Sequence, residues 1–205
     1  MSKVKIRTRL TDLLGIDVPI MLAGMGGIAN QELVAAVSNA GGFGTWGSAT
    51  DVSNVGPDEL GRRIQAIRDA CHDKPFGVDI LIHGASGGVM SELIEVFANG
   101  GAKVFISGRG FPRKSVIETF HSKGMLVGSI AGKLKHAEGM VKAGVDIIIV
   151  QGYEGGGHTG SVATSVLLPQ VVDMVRSSNR PETPVVAAGG IFDGSLMVPR
   201  SDCST

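Results

Sequence analysis

The sequence is short of several things, and each shortage removes a class of function. Only two of its 205 residues are cysteine, Cys71 and Cys203. They show no CxxC and no metal-ligand spacing, so neither a disulfide scaffold nor a metal site is expected, and a reducing, cytoplasmic setting is the default. Aromatic residues make up 4% of the chain, too few for base-stacking platforms. Nineteen lysines and arginines balance nineteen aspartates and glutamates, for a net charge of zero. With no basic run or stripe, nucleic acid and acidic membrane surfaces are not expected partners. No apolar run approaches the length of a transmembrane helix, and the mildly basic N-terminus lacks the apolar segment of a secretory signal. There is no Ser-His-Asp pattern, metal-ligand cluster or Walker-type phosphate loop.

What the chain has in excess is glycine, 31 residues against a usual share of roughly 7%. The glycines follow no three-residue period, which excludes collagen. They fall at the ends of apolar segments instead, as βα turns would require. Short apolar runs at 19–22, 43–47, 76–82, 103–107, 125–130, 146–150 and 184–188 read as strands. Helical stretches lie between them: 31 onward to Gly41 and Gly42, 57–71, 89–98, 112–122, 133–143 and about 164–177, with a short lead-in element at 10–15. Asn30 is placed to cap the helix at Gln31, with Glu32 in its first turn. In 57–71, Leu60, Ile64 and Ile67 share one face and Arg62, Arg63 and Arg68 the other.

This alternation predicts an α/β fold, a parallel sheet with helices outside. A doubly wound sheet and a TIM (β/α)8 barrel both fit it. Glycines and polar residues follow nearly every strand, whereas a doubly wound sheet concentrates its site at one switch point, so the barrel is preferred. A barrel needs eight strands and typically about 250 residues; seven strands are legible. The expectation is therefore an incomplete barrel over residues 1–194. The tail 195–205, interrupted by Pro199, is expected to be irregular.

The strongest chemical signal is the stretch 144–160. A β-branched run, 146–150, enters a loop with five glycines and one histidine, ending Gly155-Gly156-Gly157-His158-Thr159-Gly160. Successive glycines let backbone N–H groups approach an anion or a flat ring. His158 adds a group that titrates near neutral pH, a candidate general base.

Five stretches in this order resemble the nitronate monooxygenase family, also called 2-nitropropane dioxygenases. They are Pro19-Ile20-Met21-Leu22-Ala23-Gly24-Met25, residues 33–42, Lys74-Pro75-Phe76-Gly77-Val78-Asp79, residues 151–160, and residues 184–194. The resemblance implies an FMN-dependent barrel enzyme that oxidises alkyl nitronates with O2 to carbonyl compounds and nitrite. By position it implies that Ala23, Gly24 and Met25 line the flavin and that Asp79 sits near it, where some relatives carry asparagine or threonine. Gln151, Gly156 and Gly157 would contact the flavin, Gly189 and Gly190 would offer N–H groups to its phosphate, and His158 would be the catalytic residue. A related reading is a flavin-dependent enoyl-acyl-carrier-protein reductase, which would require NAD(P)H.

Relatives continue past this point into an eighth strand that supplies the other half of the phosphate cradle. Here Gly194 runs instead into Ser195-Leu196-Met197-Val198-Pro199-Arg200. The resemblance thus implies a C-terminally truncated member, as an alternative transcript or a frameshift would give. Lost phosphate contacts, at roughly 1.5–3 kcal/mol each, would weaken FMN binding. Open sheet edges would favour self-association or pairing with another chain. A catalytically silent, partner-completed product is the reading from another class.

Other polar residues carry weaker signals. His83, Arg109, Ser129 and Lys133 follow strands and face the expected site. His72, His121 and His136 lie on helices or at their ends, where solvated or capping roles are expected, and Cys71 reads as structural.

Overall fold

A computed structural model of the chain describes residues 6–48, 55–80, 87–108, 110–191 and 193. The elements alternate along the chain. Helix α1 (Arg9–Leu14) and α2 (Gln31–Asn39) precede β1 (Gly44–Gly47). Then come α3 (Pro57–Ala70), β2 (Phe76–Ile80), α4 (Gly87–Asn99), β3 (Val104–Ser107), α5 (Lys114–Ser122), β4 (Leu126–Ala131), α6 (Leu134–Ala143), β5 (Ile147–Gln151), α7 (Thr164–Arg176) and β6 (Val185–Ala188). The Asn30 cap forms as expected, its Oδ1 accepting from Leu33 N–H at 3.1 Å. Helix α1 begins with a reciprocal box in which Thr8 and Thr11 each accept the other's backbone N–H, and it ends at a left-handed Gly15.

The six strands form one parallel sheet in the order β1-β2-β3-β4-β5-β6. Every strand pairs with its sequence neighbours and the order never reverses. A doubly wound sheet must reverse at its switch point, so that alternative is excluded. The result is an arc of parallel strands, a half barrel with helices on its outside. The registers, such as Gly47 opposite Asp79 and Gln151 opposite Ala188, line up the C-terminal strand ends on one face.

Strand alternation divides the interior in two. Outward residues Trp46, Val78, Phe105, Val127, Ile148 and Val150 pack beneath the helices in one large cluster. Phe105 stacks on Phe120 of α5 with ring centroids 4.2 Å apart. Inward residues Val104, Ile106, Ile147 and Ile149 join Phe43 and the α1 residues Leu10 and Leu14 in a second cluster. Helix α1 is therefore a plug on the concave side of the sheet, which explains why this short helix carries two fully or nearly buried leucines.

The expected first strand, 19–22, reduces to a single parallel bridge between Met21 and Phe43. Pro19 has no N–H to give a ladder, and Ile20 N–H turns back to Val18 O at 2.8 Å. Only Phe43 N–H to Ile20 O and Leu22 N–H to Phe43 O tie it to the neighbouring segment. The seven expected strands are thus six and a bridge among the described residues. The third strand ends at Ile80 here; its expected continuation to 82, and the tail 195–205, lie outside the described residues.

One inward position is chemically mismatched. Thr45 of β1 is fully buried, and its Oγ1 has no hydrogen-bond partner among the described residues. An unsatisfied buried hydroxyl costs roughly 1–3 kcal/mol. Thr45→Val keeps the branched shape and removes that group, so it is expected to raise stability by about 1 kcal/mol. In a chain of this size that is a Tm increase of about 2–4 °C, measured by thermal melting. A lower Tm would mean that an internal water serves the hydroxyl.

Candidate functional site

The C-terminal strand ends bring the expected residues together in two groups. In the first, the loop after the Met21 bridge carries Ala23, Gly24 and Met25 across the ends of β1 and β2. Gly24 lies directly against Asp79: a Cβ on Gly24 would stand 2.2 Å from the Asp79 Cβ. Only glycine permits this approach. On the other side the Met25 backbone passes over Gly47, again at a distance that admits no side chain. Asp79 is fixed from behind, since Ser48 N–H and Oγ both donate to its backbone carbonyl, at 3.1 and 2.8 Å.

The alternation of β2 turns the Asp79 side chain inward, and the residue is only 7% exposed. Burial pushes its carboxyl up from 3.8 to about 7, partly offset by the backbone N–H of Gly108. Asp79 is therefore poised to exchange its proton near neutrality. The sequence placed it by resemblance as a flavin neighbour but carried no sign of this shift.

The second group forms around the glycine loop. Gln151, the last residue of β5, donates from Nε2 to Gly156 O at 3.0 Å. Gly189 and Gly190, immediately after β6, both adopt positive φ, +95° and +76°, which turns the chain back beneath this loop. Gly189 packs against the Gly155 backbone. Nothing lies within 4 Å of where a Cβ would stand on Gly156 or Gly157, so the loop presents open backbone. His158 is exposed and has no hydrogen-bond or ion-pair partner among the described residues. It lies in the loop that follows the C-terminal end of β5.

The remaining candidates divide by surroundings. Ser129 is buried and donates to Gly110 O at 3.0 Å, a structural bond. Lys133 is the exposed N-cap residue of α6. His121 sits at the end of α5 and pairs with Asp146 at 2.7 Å, beside Arg180 Nη2 at 3.4 Å from the same carboxylate; this is at the N-terminal end of β5, away from the site. Cys71 is fully buried, which raises its thiol, in keeping with a structural role. His83 and Arg109 lie outside the described residues. No group of three or more metal-ligating side chains occurs among the described residues. No helix among them is long and apolar enough to cross a membrane.

Two residues at the site were missed from sequence. Glu154 and Thr164 form a bonded pair that closes the base of the glycine loop. The available signal was a threonine opening a helix ten residues beyond a carboxylate.

The open backbone at Gly156 and Gly157 leaves room for a flat ring such as a flavin's, while Gly24 is packed against Asp79, and Gly189 and Gly190 turn beneath the loop at the same end of the strands.

A family model described as nitronate monooxygenase matches residues 7–197. Among curated relatives, a 5-hydroxy-7a-methyl-1-oxo-octahydro-1H-indene-4-carboxyl-CoA dehydrogenase of Mycobacterium tuberculosis is 42% identical over 93% of this chain and 50% of its own. Among solved structures, FabK from Thermotoga maritima superposes with a TM-score of 0.80 at 38% identity, over 94% of this chain and 57% of that one. Nitroalkane oxidase from Streptomyces ansochromogenes gives 0.77 at 27% identity, over 92% and 62%. The chain spans about half the length of the curated relatives it matches.

Proposed function

The chain belongs to the nitronate monooxygenase family, and from that premise we propose that it carries the flavin-binding and proton-handling part of an FMN-dependent oxidoreductase acting on carbon acids. One observation carries this reading: Gln151 holds a glycine loop open beside Gly189 and presents His158 unencumbered at the C-terminal strand ends. Bound FMN would supply the oxidising equivalents.

The chain's own residues supply the rest. His158 takes a carbon-bound proton, or as imidazolium holds the resulting anion. Backbone at Ala23–Met25, Gly156 and Gly157 would hold the ring, and N–H groups at Gly189 and Gly190 would hold the phosphate. Asp79 stands beneath the Gly24 turn as a buried, proton-exchanging carboxyl. In the first reading the substrate is an alkyl nitronate, oxidised with O2 to a carbonyl compound and nitrite.

A second reading is favoured by a specific finding, the 42% identity to a carboxyl-CoA dehydrogenase. The C–H bonds beside a nitro group and beside a thioester carbonyl are both acidified, and one histidine could serve either. An enoyl-thioester reductase, which would consume NAD(P)H, is the related alternative.

The test begins with the visible absorbance of the purified chain after incubation with FMN and gel filtration. Retained flavin bands are expected. Propionate 3-nitronate with O2 and no nicotinamide then tests the first reading, and an acyl-CoA thioester with an artificial electron acceptor the second. A chain that takes up no flavin would sink both.

A further inference from the structure

We infer that Glu154 is a positioning residue, a clamp that sets the glycine loop and with it His158 against the ends of β5 and β6. The inference rests on the flavin reading for its functional meaning, but its geometry stands alone. The loop leaves β5 at Gly152 and rejoins the fold at Thr164, the first residue of α7. Thr164 N–H donates to both Glu154 oxygens, at 2.9 and 3.2 Å, and Thr164 Oγ1 approaches Oε2 at 2.9 Å.

That hydroxyl joins three parts of the site. It accepts from Gly152 N–H at the end of β5, at 3.1 Å, and lies 3.4 Å from Ala188 O at the end of β6. It has one hydrogen to give, and the shorter distance assigns that hydrogen to Glu154. The fit is close: a Cβ on Gly152 would stand 2.2 Å from Thr164 N and 2.6 Å from Glu154 Oε2, and Gly190 lies over the Glu154 Cβ. Tyr153 N–H to Val162 O, at 3.1 Å, and Gly155 N–H to Gly152 O, at 3.2 Å, close the loop base beside the clamp.

A helix N-terminus is where an anion is stabilised by unpaired N–H groups. Here the anion is internal. The Thr164 N–H holds the Glu154 carboxyl below its usual range, so it stays ionised at neutrality. The residue immediately before the three glycines is thereby tied to a rigid helix. Beyond it, Gly155 N–H bonds back to Gly152 O at the loop base, and the Gln151 bond to Gly156 is the second anchor. Two fixed points four residues or fewer from His158 determine where the imidazole can reach.

The test compares Glu154→Ala and Glu154→Gln by amide hydrogen exchange of the chain without flavin and by FMN affinity. Glu154→Ala is expected to speed exchange at Gly152, Tyr153 and Gly155 by tenfold or more, with the core strands unchanged. It is expected to weaken FMN binding about tenfold. Glu154→Gln keeps an acceptor for Thr164 N–H and is expected to restore both to within threefold. If Glu154→Ala speeds exchange only at α7's first turn, or if FMN affinity does not move, Glu154 merely caps a helix and the inference fails. If the unaltered chain takes up no FMN, the flavin reading has failed, and the exchange at the three loop amides alone decides the clamp.

Discussion

Asp79→Asn is expected to flatten the pH dependence of stability between about pH 4 and pH 7 and to raise Tm at pH 8. The argument starts from burial. Asp79 is enclosed by the Gly24 turn, by Ser48 and by its strand neighbours, and its carboxyl is pushed from 3.8 to about 7. A carboxyl whose folded value exceeds its unfolded value binds its proton more tightly in the native state. Stability linked to it is fully present below the unfolded value and is lost as pH rises through the folded one. A shift of about three pH units corresponds to at most roughly 4 kcal/mol at pH 8. Asparagine has the same outline, carries no charge and still offers an oxygen to Gly108 N–H. The gain at pH 8 should therefore reach on the order of 10 °C in Tm, with little change at pH 4. Thermal melts of both proteins across pH 4–8 measure it. A flat profile in the unaltered chain would mean that Asp79 is ionised against a cationic partner, and the buried-acid assignment would fall. The same substitution bears on function. Near neutrality a half-protonated Asp79 both donates and accepts hydrogen bonds, whereas asparagine has fixed roles. FMN affinity should then lose its pH dependence around 7 in the variant.

The parts of the fold that were legible in sequence are those decided locally. Strand positions followed from short β-branched runs such as 147–150. The buried faces of α3 followed from Leu60, Ile64 and Ile67, all essentially buried in the structure. The Asn30 cap followed from its residue type and place. Pro169 could have argued for a break, yet α7 runs through it. Leu167, Val171 and Val175, spaced four apart and buried, outweigh the lost backbone bond. What was not legible depends on chain segments meeting at a distance. The segment 19–22 has a strand's composition, but pairing along it is limited by Pro19 and by the turn at Ile20. The burial of Asp79 is produced by Gly24, fifty-five residues earlier. The Glu154–Thr164 bond exists only because the glycine loop closes on itself. In each case the residue type was visible and the neighbour that gives it meaning was not.

His158→Ala should separate proton removal from the later oxidation. The imidazole is exposed and its neighbours Gly156 and Gly157 present open backbone, so truncating His158 should leave FMN content unchanged. A general base at this position contributes typically 10²–10⁴-fold. With a neutral nitroalkane as substrate, the first step is loss of a carbon-bound proton, and turnover should fall by about that factor. A preformed nitronate has already lost that proton. Its oxidation by the same variant should fall by about tenfold or less, through loss of the imidazolium that holds the anion. A CoA thioester, which is never supplied as its enolate, should show only the large loss. Nitrite release, oxygen uptake and acceptor reduction measure the three cases on one preparation with matched flavin absorbance. Undiminished turnover of the neutral nitroalkane would remove His158 from the base role and assign it to Asp79, whose buried carboxyl at these strand ends is pushed up to about 7. Equal, large losses with nitroalkane and nitronate would instead assign His158 to holding the anion through the oxidation, a role in which the charge of the imidazolium matters and its ability to accept a proton does not.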